Sequence, residues 1–418
     1  MKIFAIGINY ALHNKELHNT LLKPEKPVIF TKADSALLKD HKPFFIPDHM
    51  GRIDYETELV VRICKLGKNI STRFAHRYYD AVTVGIDLAM FNNRFEFTAE
   101  WYKNTSEDLL YGVPVPTQTG VANATVTMNA ASMDNSGFEF SATYRNHDHP
   151  FKYDVSANMS TLKNKVTSLG FGTKSYITGA YATYVGQEIG QFYGWVYEGI
   201  ARTQDDLNNH ATQQGANVGD CLYKDISGPD GTPDGVIDAY DQTVLGSGLP
   251  KVNFGLSAHM EYKNFDLSIS TYGVLNYHVS DDIYNSLNSC YGWGNKDVAM
   301  ADANRFSADG STYLSSVPRT YAANKATLAW NDLFSSRKIQ NAAYWKIANV
   351  ELGYNFPDQW FKGLVSGVRV YVSAQNLYTF TGYKGYNVDY AGGTFTPGYN
   401  FCSFPSARSF MAGLHFTF

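Results

Sequence analysis

From Arg94 onward the chain repeatedly alternates apolar and polar residues with a period of two, and this limits its fold more than any other feature. In Arg94–Tyr102, Phe95, Phe97, Ala99 and Trp101 share one face, and Arg94, Glu96, Thr98 and Glu100 share the other. The pattern returns in Phe138–Tyr144, Tyr153–Met159, Val252–Tyr262, Val368–Ala374 and Phe410–Phe418. A period of two belongs to a strand whose faces meet different surroundings, and it excludes an amphipathic helix for these runs.

Tight polar turns such as Asn92–Asn93 and Lys263–Asn264 join some of the runs, whereas other connections are long and rich in Gly, Asp and Asn. Short turns at one end and long loops at the other are the pattern of an outer-membrane barrel. A soluble β-sandwich also alternates. The barrel is favoured because the polar face is charged or hydroxylated, the apolar face is aromatic, and the chain ends on an aromatic residue within a strand. Nowhere do 18 apolar residues follow one another, so no transmembrane helix is expected.

The alternation begins at a change of character inside Val84–Asp87. Of the 62 aromatic residues, 9 lie in the first 87 residues and 53 after them. The charge balance changes there too, from 13 Lys+Arg against 10 Asp+Glu to 22 against 29. With a net charge of −4 and no basic stripe, nucleic acid is not an expected partner. Cys64, Cys221, Cys290 and Cys402 lack metal-ligand or redox spacing. The start, Met1–Tyr10, has an apolar run too short for a secretory signal and no small-residue cleavage site, so it reads as cytoplasmic.

In the first 87 residues, Ile3–Ile8 and Pro27–Thr31 read as short strands, and Asp54–Ile63 starts polar and becomes a strand. His13 and Glu16 are three apart, on one face if that segment is helical; they suit either a general-base pair or a solvated turn. Glu56 and Glu58 project to one face of a strand, where two like charges call for a cation or a basic neighbour. An all-oxygen site suits Mg²⁺, Ca²⁺ or Mn²⁺ better than zinc, and a solvated strand face is the alternative.

Taken together, Asn9–Tyr10, His13-x-x-Glu16, Gly51–Glu58 and Gly85–Asp87 resemble the N-terminal part of the fumarylacetoacetate hydrolase family. The resemblance implies Glu56, Glu58 and Asp87 as ligands of Mg²⁺ or Mn²⁺. It also implies His13 and Glu16 as the acid/base pair for carbon–carbon bond hydrolysis or decarboxylation. After Asp87 the sequence departs from that family, continuing as Leu88–Phe91, and the substrate pocket and most of its scaffold are not expected.

Val84–Arg94, Met133–Glu139, Gly194–Ile200, Gly219–Asp220 with Tyr223–Asp225, Pro250–Asp266, Ala374–Phe380 with Tyr383–Tyr386, and Leu414–Phe418 form a second set of motifs. Through them residues 83–418 resemble the C-terminal barrel of SusC/RagA-type TonB-dependent transporters. It implies an outer-membrane importer of glycans or peptides, with outer-membrane lipid around it and a SusD-like lipoprotein partner. TonB is not expected to engage, since neither plug nor TonB box is recognised.

Within this region Asp230, Thr232, Asp234, Asp238 and Asp241 follow the spacing of a calcium loop, with Gly235 at the turn. Either a loop-ordering Ca²⁺ or a plain Asp/Gly turn accounts for it. No organic cofactor is expected.

The resulting expectation is a mainly β chain: a partial antiparallel transmembrane β-barrel of about twelve strands over 88–418, preceded by a small truncated α+β segment over 1–87. Its functional reading is a transporter-barrel fragment fused to a hydrolase fragment and active as neither. Alternatives are a working metal-dependent hydrolase with an appended β-module, and a soluble β-sandwich binding protein. The barrel type points to the outer membrane, and the cytoplasmic-type start points to failed export and aggregation.

Overall fold

The computed structural model describes residues 3–7, 28–32, 57–63, 79–115, 118, 120, 125–290, 294–321, 330–357, 360, 365–390 and 392–417. The chain divides into two compact units, Met1–Asp54 and Tyr55–Phe418. In the first, β1 (Ile3–Gly7) and β2 (Val28–Lys32) pair antiparallel, Ile3 opposite Lys32.

The second unit is organised by one large antiparallel sheet. Its strands are β3 (Thr57–Ile63), β4 (Tyr79–Met90), β5 (Phe95–Pro114), β6 (Thr125–Asn146), β7 (Phe151–Thr161), β8 (Lys163–Ser168), β9 (Val252–Tyr262), β10 (Phe265–Leu275), β11 (Tyr344–Phe356), β12 (Gly367–Thr381) and β13 (Ser409–Thr417). Ten run side by side in chain order from β3 to β13, and β8 adds an eleventh by pairing with the upper part of β6. About twelve strands were expected. Among the described residues the edges β3 and β13 do not pair with each other, and the described strands form a barrel wall without closure.

The sheet crosses the change of character in the sequence. β4 pairs on one side with β3, where Glu58 is opposite Gly85, and on the other with β5, where Asp87 is opposite Thr98. Alternating residues, rather than any one motif, set that register.

The alternation sorts the wall into two faces. One carries Phe138, Leu256, Leu352, Val372 and Leu414, all exposed. The other is polar and laced with ion pairs: Arg145–Glu96 at 2.6 Å, Arg369–Glu351 at 2.7 Å and Arg369–Asp266 at 2.5 Å. On the apolar face aromatics gather near both ends. Trp345 stacks on Phe380 at 5.4 Å near one end, and Phe265 meets Tyr354 edge-on at 4.8 Å near the other. Their partners on β10, Gly273 and Phe265, are eight residues apart, about 27 Å along the strand. With a strand tilt near 40° that is about 20 Å of wall height, close to the apolar band of a membrane barrel.

Turns are short at one end. Lys263–Asn264 alone links β9 to β10, with Lys263 at φ 54, and Phe91–Asn93 between β4 and β5 all have positive φ. At the other end the chain makes excursions over 169–251, 276–343 and 382–408, whose described residues pack into a cap. β5 and β6, of 20 and 22 residues, are twice as long as a membrane crossing needs. Their far ends stand clear of the wall and bury Tyr111, Val113 and Ala131 with Val166, Leu169 and Ile189. β6 changes partner at Gly137, from β7 below to β8 above; a Cβ there would lie 1.9 Å from the Thr161 carbonyl oxygen.

The cap has its own cores. Cys221, Tyr223, Ile237 and Trp330 form one, with Trp195 and Leu333 against it. Val274, Tyr277, Ala342, Tyr344, Tyr383 and Val388 form another, where the cap meets the wall. Helices are short: Gln204–Asn208 starts at a Thr203/Asp206 capping box, and Asp282–Leu287 is capped by Asp281. Among the described residues no helix is long and apolar enough to cross a membrane.

Candidate functional site

His13, Glu16 and Glu56 lie outside the described residues, as does the side chain of Glu58. The backbone of β3 sets Glu58 opposite Gly85, two residues from Asp87 along β4. The Asp87 carboxylate accepts a hydrogen bond from the Thr98 hydroxyl at 2.6 Å. Its neighbour is thus a hydroxyl on β5, a strand on the transporter-like side of the sequence.

The Asp230–Asp241 loop is well formed, but its carboxylates cap the backbone rather than converge. Asp230 accepts from Thr232 N and Oγ1, Asp234 from Val236 N, and Asp238 from Tyr240 N. Asp241, fully buried, accepts from Ile226, Ser227 and Asp238 N–H groups. The N–H of Gly235 goes to Asp225 at 2.7 Å, a residue outside the expected set. Among the described residues no three His, Cys, Asp or Glu side chains come close enough to hold a metal. The donors fit an Asp/Gly turn, in which each carboxylate satisfies nearby amides.

A polar constellation forms where the inner face of the wall meets the cap. Lys346 on β11, 3% exposed, places Nζ 2.5 Å from Asp389 Oδ2. The Tyr344 hydroxyl donates to Asp389 Oδ1 at 2.9 Å, and the Tyr272 hydroxyl lies 3.2 Å from both carboxylate oxygens. Lys346 also sits 5.7 Å from the Tyr272 ring centre, and the Tyr272 and Tyr344 rings meet edge-on at 6.1 Å. A buried ammonium is tolerable only when paired and hydrogen-bonded, and Asp389 reaches in from the 382–408 excursion to supply that.

Beside the constellation is an open hollow of about 560 Å³. Asn158, Asn253, Ser257, Ser270 and Tyr272 supply amides and hydroxyls to it. Gly255 keeps it open, since a Cβ there would press within 2.9 Å of the Asn158 amide. Such a surface presents uncharged donors and acceptors.

Sequence reasoning missed this rim. Tyr383–Tyr386 was singled out but Asp389 was not, because its partner Lys346 is 43 positions earlier on a strand whose alternation a bulge interrupts between Ile347 and Asn349. The Asp220–Arg319–Asn331 cluster inside the cap was missed for the same reason of distance. Arg319 clamps Asp220 through Nε at 2.5 Å and Nη2 at 2.8 Å, and Asn331 Nδ2 adds a third donor at 2.8 Å.

Comparison with known proteins finds two families in the chain, and the match to the first runs on past Asp87. The family model described as fumarylacetoacetate (FAA) hydrolase C-terminal matches residues 2–113. The fumarylacetoacetate hydrolase domain-containing protein 2 homolog of Dictyostelium discoideum is 38% identical over 88 residues, 21% of this chain and 28% of that protein.

The TonB-dependent receptor P3 of Formosa agariphila is 29% identical over 354 residues, covering 80% of this chain and 33% of that receptor. The TonB-dependent receptor SusC of Bacteroides thetaiotaomicron is 27% identical over 352 residues, covering 80% and 31%. The chain thus spans about a third of the length of these receptors. In three dimensions it is similar to the RagAB peptide transporter, with a TM-score of 0.63 at 21% identity, over 87% of this chain and 38% of that one. The fold is therefore that of part of such a barrel, and the chain resembles SusC/RagA-type TonB-dependent receptors over most of its length and the hydrolase family near its start.

Proposed function

We propose that β4 to β13 and the cap are the C-terminal wall and outward loops of an outer-membrane nutrient importer for glycans or peptides, and that the hydrolase-like segment performs no catalysis in this chain. The observation that carries this reading is the two-faced wall. Exposed Leu256, Leu352 and Leu414 require lipid, whereas the opposite face, with Arg369 bridging Asp266 and Glu351, requires water. On this reading the short turns face the periplasm and the cap faces outward. The rim at Lys346 and Asp389 then lies on the route from cap to lumen, and a SusD-like lipoprotein would dock over the cap.

The sheet supports reading the hydrolase-like segment as inactive. Asp87, the expected third metal ligand, is engaged with Thr98, and the residues beyond it are barrel strand. A Mg²⁺ or Mn²⁺ at Glu56, Glu58 and Asp87 would have to share Asp87 with that hydroxyl.

Two assays test the proposal. Refolded into phosphatidylcholine vesicles, the chain should show heat-modifiable migration and protection of β9 to β12 from added protease; a chain that stays monomeric and protease-sensitive without detergent would refute the membrane wall. An acylpyruvate hydrolysis assay with Mg²⁺ or Mn²⁺ should show no turnover above buffer. Turnover abolished by Glu56→Ala would establish the hydrolase instead.

A further inference from the structure

Two of the cysteines come from different excursions of the cap and are held by the same pair of consecutive residues. Cys221 lies in the short strand Cys221–Tyr223, between β8 and β9, and Cys290 follows the helix Asp282–Leu287, between β10 and β11. Each is anchored through its own backbone N–H to one of two consecutive residues. Cys221 N donates to Asn331 Oδ1 at 2.7 Å, and Cys290 N donates to the Asp332 carboxylate at 3.1 and 3.2 Å. Both side chains are fully buried thiols, while Cys402 is exposed.

The surroundings are common to both. Burial pushes each thiol up to about 12, Arg337 and Asp332 act on both, and Cys221 acts on Cys290. The nearby Tyr197 hydroxyl, raised chiefly by burial, also feels both sulfurs. A protonated, buried thiol does not exchange, so any reaction between the two belongs to assembly of the cap, before it closes.

We propose that Cys221 and Cys290 are the partners of a disulfide that ties the 169–251 excursion to the 276–343 excursion beneath Asn331–Asp332, and that the described free thiols are its reduced form. The co-reactant is a small disulfide such as oxidised glutathione. One cysteine thiolate attacks it, forming a mixed disulfide and releasing one glutathione thiolate. The other cysteine then attacks the protein sulfur of that mixed disulfide, releasing the second. Two electrons and two protons pass from the cysteine pair to the glutathione pair. Closing a loop of 69 residues gains more than closing a short one, because the unfolded chain loses more freedom.

The test is to refold the full chain in detergent with oxidised glutathione, block free thiols under denaturing conditions, digest without reductant and weigh the peptides. A peptide joining Cys221 to Cys290 that disappears on reduction is expected, with Cys402 alkylated. The oxidised protein should then melt several degrees above the reduced one, a difference that Cys290→Ala removes. Alkylated Cys221 and Cys290, or either one joined to Cys64 or Cys402 instead, would overturn the assignment. The peptide result needs no variant to fold.

Discussion

Arg319→Met should open the cap while leaving the barrel wall intact. Asp220 is 4% exposed and receives four hydrogen bonds: two from Arg319, one from Asn331 Nδ2 and one from Asn217 N–H. Removing the guanidinium leaves the buried carboxylate its two neutral donors but no countercharge. Breaking a buried pair this way costs about 3–5 kcal/mol, and the surviving donors place the cost near the lower end, about 3 kcal/mol. At 1.36 kcal/mol per decade, local opening becomes roughly 150-fold more populated. Native-state cleavage by a protease cutting at apolar residues reads that population when reclosing is fast. Cuts in the cap segments 202–251 and 276–321 should therefore accelerate by about two decades, while cuts in β9 to β12 stay unchanged. Adding Asp220→Asn removes the orphaned charge and should recover roughly tenfold. If Arg319→Met is cleaved within threefold of the parent, the pair is not what holds the cap closed.

On the wall, Leu256→Arg puts a charge on the exposed apolar face and should cost about 2–4 kcal/mol of stability in vesicles, whereas Ser257→Arg on the polar face should cost far less; urea titration of the two variants compares them. Gly137→Ala should destabilise the junction of β6, β7 and β8, because the added methyl would meet the Thr161 carbonyl at 1.9 Å, and the loss should appear as a lowered melting midpoint. In the cap turn 307–311, hydrogen bonds from the Ser307 hydroxyl first, then the Ser311 hydroxyl and amide, hold Asp309 down from 3.8 to about 2. A depressed carboxyl stabilises the fold fully above its unfolded value and ceases to do so as pH falls through its folded value. The turn should thus loosen between about pH 4 and pH 2, and an Asp309 carboxyl midpoint near 4 by NMR would contradict this.

Much of the wall was legible because alternation is a local signal with a global meaning. Phe95–Trp101, Phe138–Tyr144, Tyr153–Met159, Val252–Tyr262 and Val368–Ala374 all lie in strands, with the expected residues facing together. β11 was not legible: its bulge shifts the alternation midway, so neither half is long enough to stand out. The upper halves of β5 and β6 were hidden for a different reason. There Tyr111, Val113 and Ala131 are buried, and the two-environment pattern fades. In the cap, the decisive contacts join residues 43 to 111 positions apart, such as Lys346 to Asp389 and Asn331 to Asp220, and no spacing rule reaches so far. Asp225, which holds the Gly235 amide, lies outside the 230–241 spacing, so no motif read over those positions names it.

The strand that carries the change of character is bound on both flanks by amides and carbonyls, which are the same in every protein. β4 meets β3 and β5 through a ladder that reads only spacing and facing. Such a ladder has no means of recognising ancestry. A lineage can break in the middle of a strand and leave no scar, provided the side chains keep step. In this chain the change of character thus falls inside a regular strand, β4, rather than in a linker.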